Sequence, residues 1–133
     1  MIVKVIDEVK NYEEAIKLSC DELVKNGSIE DRYYDAILSK IEEFGAYFCI
    51  ADHIAMPHAR PEDGALKTDL CVLKLNKEVD FLGKPIKIFF TITAVDSSSH
   101  IETIKKLAEI CMNKEKVEKI LNSNNEKEIM EVM

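Results

Sequence analysis

The sequence predicts a layered α/β sandwich, a mixed β-sheet flanked by helices, and a few observations carry that expectation. Ahead of Gly45, apolar residues recur at helical spacing in successive segments. The run Ile86 to Val95 is almost continuously apolar and filled with β-branched and aromatic residues, as in a central strand covered on both faces. Beyond it, helical spacing returns to the end of the chain. Helices, then strands, then helices stack as layers around one sheet.

Taken in order, residues 1–7 alternate apolar and charged (Ile2, Val3, Val5, Ile6) and form a short edge strand or a loose arm. Asn11 with Glu14 reads as a helix cap and its reciprocal acid. Ala15, Ile16, Cys20, Leu23 and Val24 supply the buried stripe, and Gly27 the stop. A second helix follows Asp31, with Tyr33, Tyr34, Ile37, Ile41 and Phe44 on one face and Gly45 at its end. Tyr47 to Ala51 reads as a short buried strand, and Pro61 to Thr68 as a loop. Leu70 to Leu75 is a strand, and the turn signals from Asn76 to Gly83, around Val79 and Phe81, suggest a short hairpin arm. Ser99 with Glu102 is a capping-box pattern opening a helix with Ile101, Ile104, Leu107, Ala108 and Cys111 inward. The tail, 113–133, reads as short helices broken at Asn113 and at Asn122–Asn125. They pack through Val117, Ile120, Leu121, Ile129 and Met130.

Composition narrows the function classes. A chain of 133 residues is expected to be one domain, residues 1–133, with a real core. The net charge of −7 argues against nucleic-acid binding, which wants a basic face. No apolar run approaches a membrane span, and the N-terminus has no secretory pattern. The cysteines at 20, 49, 71 and 111 show no Cys-x-x-Cys spacing, so a cytoplasmic protein without disulfides is expected.

Chemistry concentrates in Ile54-Ala-Met-Pro-His58-Ala-Arg60-Pro61. Pro57 fixes its own φ and biases Met56 towards extended backbone, and Pro61 stiffens the other side. An imidazole at the tip of so stiff a segment is held in one orientation. A turn ending a strand would look much the same, so the motif gains meaning from its surroundings. These are Glu43 upstream and Asp96-Ser97-Ser98-Ser99-His100-Ile-Glu102 downstream, which puts His100 in the first turn of a helix. Helix N-termini bind anions readily.

This pattern resembles the phosphorylation-site signature of the fructose/mannitol-type IIA proteins (EIIA type 2) of the bacterial sugar phosphotransferase system. The stretches Asp31 to Leu38 and Ala55 to Thr68 look most like the ascorbate-type branch. The resemblance implies a mannitol/fructose IIA-like fold and a phosphohistidine carrier. The small carrier protein HPr would donate a phosphoryl group to His58. His58 would pass it to a cysteine of a IIB partner, which serves a membrane IIC permease. It also implies that His100 stabilises the phosphoryl group, with Arg60, Ser97, Ser98 and Ser99 as further phosphate-binding groups. No cofactor or metal is needed. Nε2 of His58 would be the nucleophile, with the other ring nitrogen donating to a backbone carbonyl. Two positions depart from the pattern: Glu42 stands where some members carry arginine, and Asp52-His53 where a Pro-Gly-like turn is common. Ile54, Met56 and Ala59 are candidates for an apolar docking rim around His58, with core as the alternative for Ile54 and Met56. The competing readings are a regulatory phosphoacceptor acting on a transcription factor or transporter, a zinc hydrolase using His53, His58 and His100, and an interaction module without transfer.

Overall fold

The computed structural model describes residues 1–133. Its elements are β1 (Ile2–Ile6), α1 (Tyr12–Lys25), α2 (Arg32–Phe44), β2 (Cys49–Ala51), β3 (His53–Ala55), β4 (Asp69–Phe81), β5 (Lys84–Thr93), α3 (Ser97–Met112), α4 (Lys114–Asn122) and α5 (Glu126–Val132). The strands make one five-stranded sheet in the order β1-β4-β5-β3-β2. β1 runs parallel to β4, and β3 parallel to β5. The β4–β5 and β2–β3 pairs are antiparallel. The sheet is mixed, as expected, and β1 is an edge strand rather than a loose arm.

The alternation of side chains along β4 and β5 builds a core on each face. On one face, Leu73, Leu75, Phe81 and Phe89 pack against Ile16 and Leu23 of α1 and Ile37 and Ile41 of α2. On the other, Val72, Ile88, Phe90 and Ile92 pack against Leu107 and Ile110 of α3, Ile120 of α4 and Ile129 of α5. β5 lies in the middle of the sheet with both faces covered, which accounts for its near-continuous apolar sequence. The turn signals before Gly83 form a hairpin, but β4 runs through the segment as a strand with an irregularity between Lys74 and Val79.

Local chemistry sets the element ends. Asn11 caps α1 by accepting from the Glu14 N–H at 2.9 Å, while Glu14 Oε1 accepts from the Lys10 N–H at 3.2 Å, one residue before the cap. α3 starts earlier than the Ser99–Glu102 pattern suggests. Asp96 is its N-cap and accepts from the Ser99 N–H at 2.7 Å. A carboxylate at the preceding Asp96 outcompeted the Ser99 hydroxyl as cap.

Several sequence expectations need correction. Phe44, Tyr47, Ile50, Ile101 and Met130 were assigned to buried faces and are exposed. Phe44 closes a helix whose last turn has passed the edge of the sheet. Tyr47 and Ile50 belong to a β2–β3 hairpin at the sheet edge, where only one side finds a core, and Phe48 fills it. Conversely, Ile54, Met56 and Ala59 are core and not rim.

One buried charge fastens the tail to the sheet. Lys74 is 2 % exposed, and its Nζ donates to the Ser123 carbonyl and to Asn76 Oδ1, both at 2.8 Å. Burial pulls its pKa down. Ser123 follows α4, so this ammonium satisfies a carbonyl at the helix end. Lys74→Met keeps the apolar stem and leaves both acceptors unpaired. It is expected to lower stability by about 1–3 kcal/mol in urea denaturation. Faster amide exchange in α4 and α5 should accompany the loss.

Candidate functional site

The site forms where the parallel neighbours β3 and β5 end. The chain leaving β3 carries His58, and the helix following β5 carries His100. Pro57 cannot donate, but its carbonyl accepts from the Ile92 N–H at 3.0 Å, which extends the β3–β5 ladder to the residue before His58. The Tyr33 hydroxyl pins the next residue. It lies 2.7 Å from the Ile92 carbonyl, 3.0 Å from the Ala59 N–H and 3.2 Å from the Ala59 carbonyl. It thus accepts from Ala59 and donates to a carbonyl, with Ile92 the shorter contact. Tyr33 is fully buried, and burial pushes its phenol up to about 12.

His58 is held in one tautomer. Its Nδ1 lies 2.9 Å from the Met56 carbonyl, which can only accept, so Nδ1 carries the proton and Nε2 the lone pair. The ring packs edge-on against Phe48, with centroids 5.0 Å apart. The His100 ring stands 4.9 Å away at an interplanar angle of 54°. The His58 pKa is lowered, first by burial and then by the charges of His100 and Lys40, against the raising effect of the Met56 carbonyl. A neutral imidazole with a free Nε2 is the form that attacks an electrophile.

The two histidines line one open cavity of about 730 Å³, together with Lys40, Arg60, Asp96 and Ser97. Of the serines singled out in the sequence, only Ser97 reaches it. Ser99 lines a different cavity beside Glu102, and Ser98 is exposed in the first turn of α3. Arg60 is present but engaged, its Nε lying 3.4 Å from Glu62 and 3.4 Å from Asp63. The exposed apolar rim consists of Tyr47, Val95 and Ile101. His53 lies apart, as the first residue of β3 with φ of 66°, and lines a separate cavity with Cys49 and Lys84. The Asp52-His53 dipeptide therefore builds the hairpin turn and does not join the histidine pair. No group of three or more His, Cys, Asp or Glu side chains stands in metal-binding array. Sequence reasoning missed Tyr33 and Lys40 as site residues. Both lie on α2, seven residues apart and so on nearly the same side of the helix, Tyr33 buried and Lys40 half-buried, and the signal was the helical period itself.

Two measurements check this geometry. In Tyr33→Phe, the Ala59 N–H loses its acceptor and the Ile92 carbonyl its hydroxyl donor. Stability should fall by about 1–3 kcal/mol, and the Ala59 amide should exchange faster with solvent. Titration of His58 by NMR should give a midpoint below the ordinary value of about 6.5, with the neutral ring protonated on Nδ1. The unfolded chain takes up this proton near pH 6.5, and the folded chain only below it. Stability from this residue is therefore intact above pH 6.5 and is lost as pH falls through the folded value.

Comparison with known proteins places the chain and its fold in one family. The sequence model of "Phosphoenolpyruvate-dependent sugar phosphotransferase system, EIIA 2" matches residues 2–133. The chain is 35% identical over 130 residues to the ascorbate-specific PTS system EIIA component of Escherichia coli K12, covering 95% of this chain and 84% of that one. Its fold superposes with a TM-score of 0.90, at 37% identity, on the solution structure of the mannitol-specific cryptic phosphotransferase enzyme IIA of Escherichia coli. That match covers 97% of this chain and 89% of the other. The IIA of the Escherichia coli mannitol system, solved in complex with phosphorylated IIB, shares the fold at a TM-score of 0.82 and 23% identity, over 97% of this chain and 92% of that one. The chain belongs to the EIIA 2 family of sugar phosphotransferase system components, in company with ascorbate- and mannitol-type members.

Proposed function

We propose that the chain is a phosphohistidine carrier acting as a single EIIA domain in the cytoplasm. It accepts a phosphoryl group from phospho-HPr on His58 and passes it to a cysteine of a IIB protein. That protein in turn serves a membrane IIC permease for an ascorbate-like or fructose/mannitol-type sugar. The observation that carries this reading is the 2.9 Å contact of His58 Nδ1 with the Met56 carbonyl, which leaves Nε2 as the nucleophile beside His100. The mannitol IIA solved in complex with phosphorylated IIB supports the choice of acceptor.

The step balances without a metal or an external base. The Nε2 lone pair forms a bond to phosphorus while the bond from phosphorus to the donor's ring nitrogen breaks. That electron pair returns to the donor imidazole, which leaves neutral. The His58 ring becomes cationic, and the Met56 carbonyl, accepting from Nδ1–H, stabilises that charge. Onward transfer reverses the roles, with a IIB thiolate as nucleophile. Geometry and electrostatics do most of the work in such transfers. His100 and Ser97 contribute polar groups to the cavity at the N-terminus of α3, where the helix dipole favours an anion. The acidic cap Asp96 lines the same cavity and opposes tight capture. That suits a carrier, since holding ground and transition states equally tightly would not speed transfer. Tyr47, Val95 and Ile101 form the rim that partners meet.

Incubation with phosphoenolpyruvate, enzyme I and HPr should add one acid-labile phosphoryl group by intact mass, absent in His58→Ala. His100→Ala should still load but pass the group to IIB about 10- to 100-fold more slowly. A wild-type chain that stays unmodified while a competent acceptor in the same mixture is loaded would contradict the reading.

A further inference from the structure

The cavity beside His58 holds a cation that the mechanism above leaves idle. Two basic side chains line it, Lys40 and Arg60. Arg60 is braced by Glu62 and Asp63 at 3.4 Å each, and Asp63 also accepts from the Arg60 N–H at 3.0 Å. Swinging the guanidinium towards a phosphoryl group would strand two carboxylates next to a dianion. Lys40 differs. No carboxylate oxygen lies within 4.0 Å of its Nζ. Its Nζ rests 5.8 Å from the centroid of the Phe44 ring. That ring is 54% exposed at the end of α2, and a cation over an aromatic face is weakly held. A lysine is a compact charge on a flexible stem and can follow a moving anion, whereas a braced arginine cannot.

Given His58 as the acceptor, we propose that Lys40 is the cation that binds the phosphoryl group on His58, leaving the Phe44 face when the dianion arrives. The same charge serves the empty state, where it helps keep His58 neutral and ready to attack. Arg60 then acts as a brace for the loop carrying His58.

The test compares wild type, Lys40→Gln, Lys40→Arg and Arg60→Gln with two donors, phospho-HPr and the chemical donor phosphoramidate. Lys40→Gln should load His58 about tenfold more slowly from both donors, and Lys40→Arg should return to within about threefold of wild type. Arg60→Gln should lose less than Lys40→Gln. By NMR, the His58 midpoint should rise in Lys40→Gln and stay near the wild-type value in Lys40→Arg, which a general loss of packing would not produce. Wild-type rates in Lys40→Gln, or a larger loss in Arg60→Gln, would overturn the assignment. A wild type that loads from phosphoramidate but not from phospho-HPr removes the carrier reading and leaves Lys40 to be decided on the chemical donor. Loading from neither overturns both.

Discussion

The hydroxyl of Tyr33 is where helix, loop and sheet meet. It reaches from α2 to Ala59 of the histidine loop and to the Ile92 carbonyl of β5. The Pro57 carbonyl and the Ile92 N–H close the other side of the same junction. A loop with few backbone partners would sample many conformations, each lowering the fraction of time His58 is aimed. Here each residue flanking the histidine is tied to β5 or to a buried phenol. His58 can then donate from Nδ1 to Met56, two residues back, without further adjustment. Orientation, tautomer and free lone pair all follow from that constraint.

Electrostatics completes the arrangement. Burial disfavours a charged His58, and the nearby positive charges add to that effect. In the proposed role of His58, the same positive charges that favour its neutral form are those an incoming anion needs. The acids in the cavity, Glu62 and Asp96, each have a prior engagement, one with Arg60 and the other with the Ser99 N–H of α3. The charged side chains lining the cavity, Lys40 and Arg60 against Glu62 and Asp96, are thus balanced in number. A carrier benefits from that balance, because each transfer must run forward from a bound state of intermediate depth.

The fold was largely legible because hydrophobic period and capping residues agree along most of the chain. The stripes of α1 and α2, the run of β5 and the asparagine breaks in the tail all appear where the pattern puts them. His58 and His100 were legible as motifs, and the structure brings their rings to 4.9 Å. What pattern alone misplaced shares one cause. Tyr47, Ile50 and Phe44 are apolar but lie at a sheet edge or in the last turn of a helix, and period does not reveal where a core stops. Tyr33 and Lys40 were hidden for the opposite reason. They share a stripe with core residues, and only tertiary packing shows that one ends in a hydroxyl at the loop and the other lines the cavity. Ser99 was read as a cap and a phosphate ligand, and Asp96 took the first role.

The central claim is that backbone geometry makes Nε2 of His58 the reacting atom. It is tested most directly by ¹⁵N and ³¹P NMR of the phosphorylated protein with labelled histidine. The account predicts phosphorus–nitrogen coupling at Nε2 of His58, with Nδ1 still protonated and hydrogen-bonded. Phosphorus on Nδ1 of His58, or on His100, would contradict it.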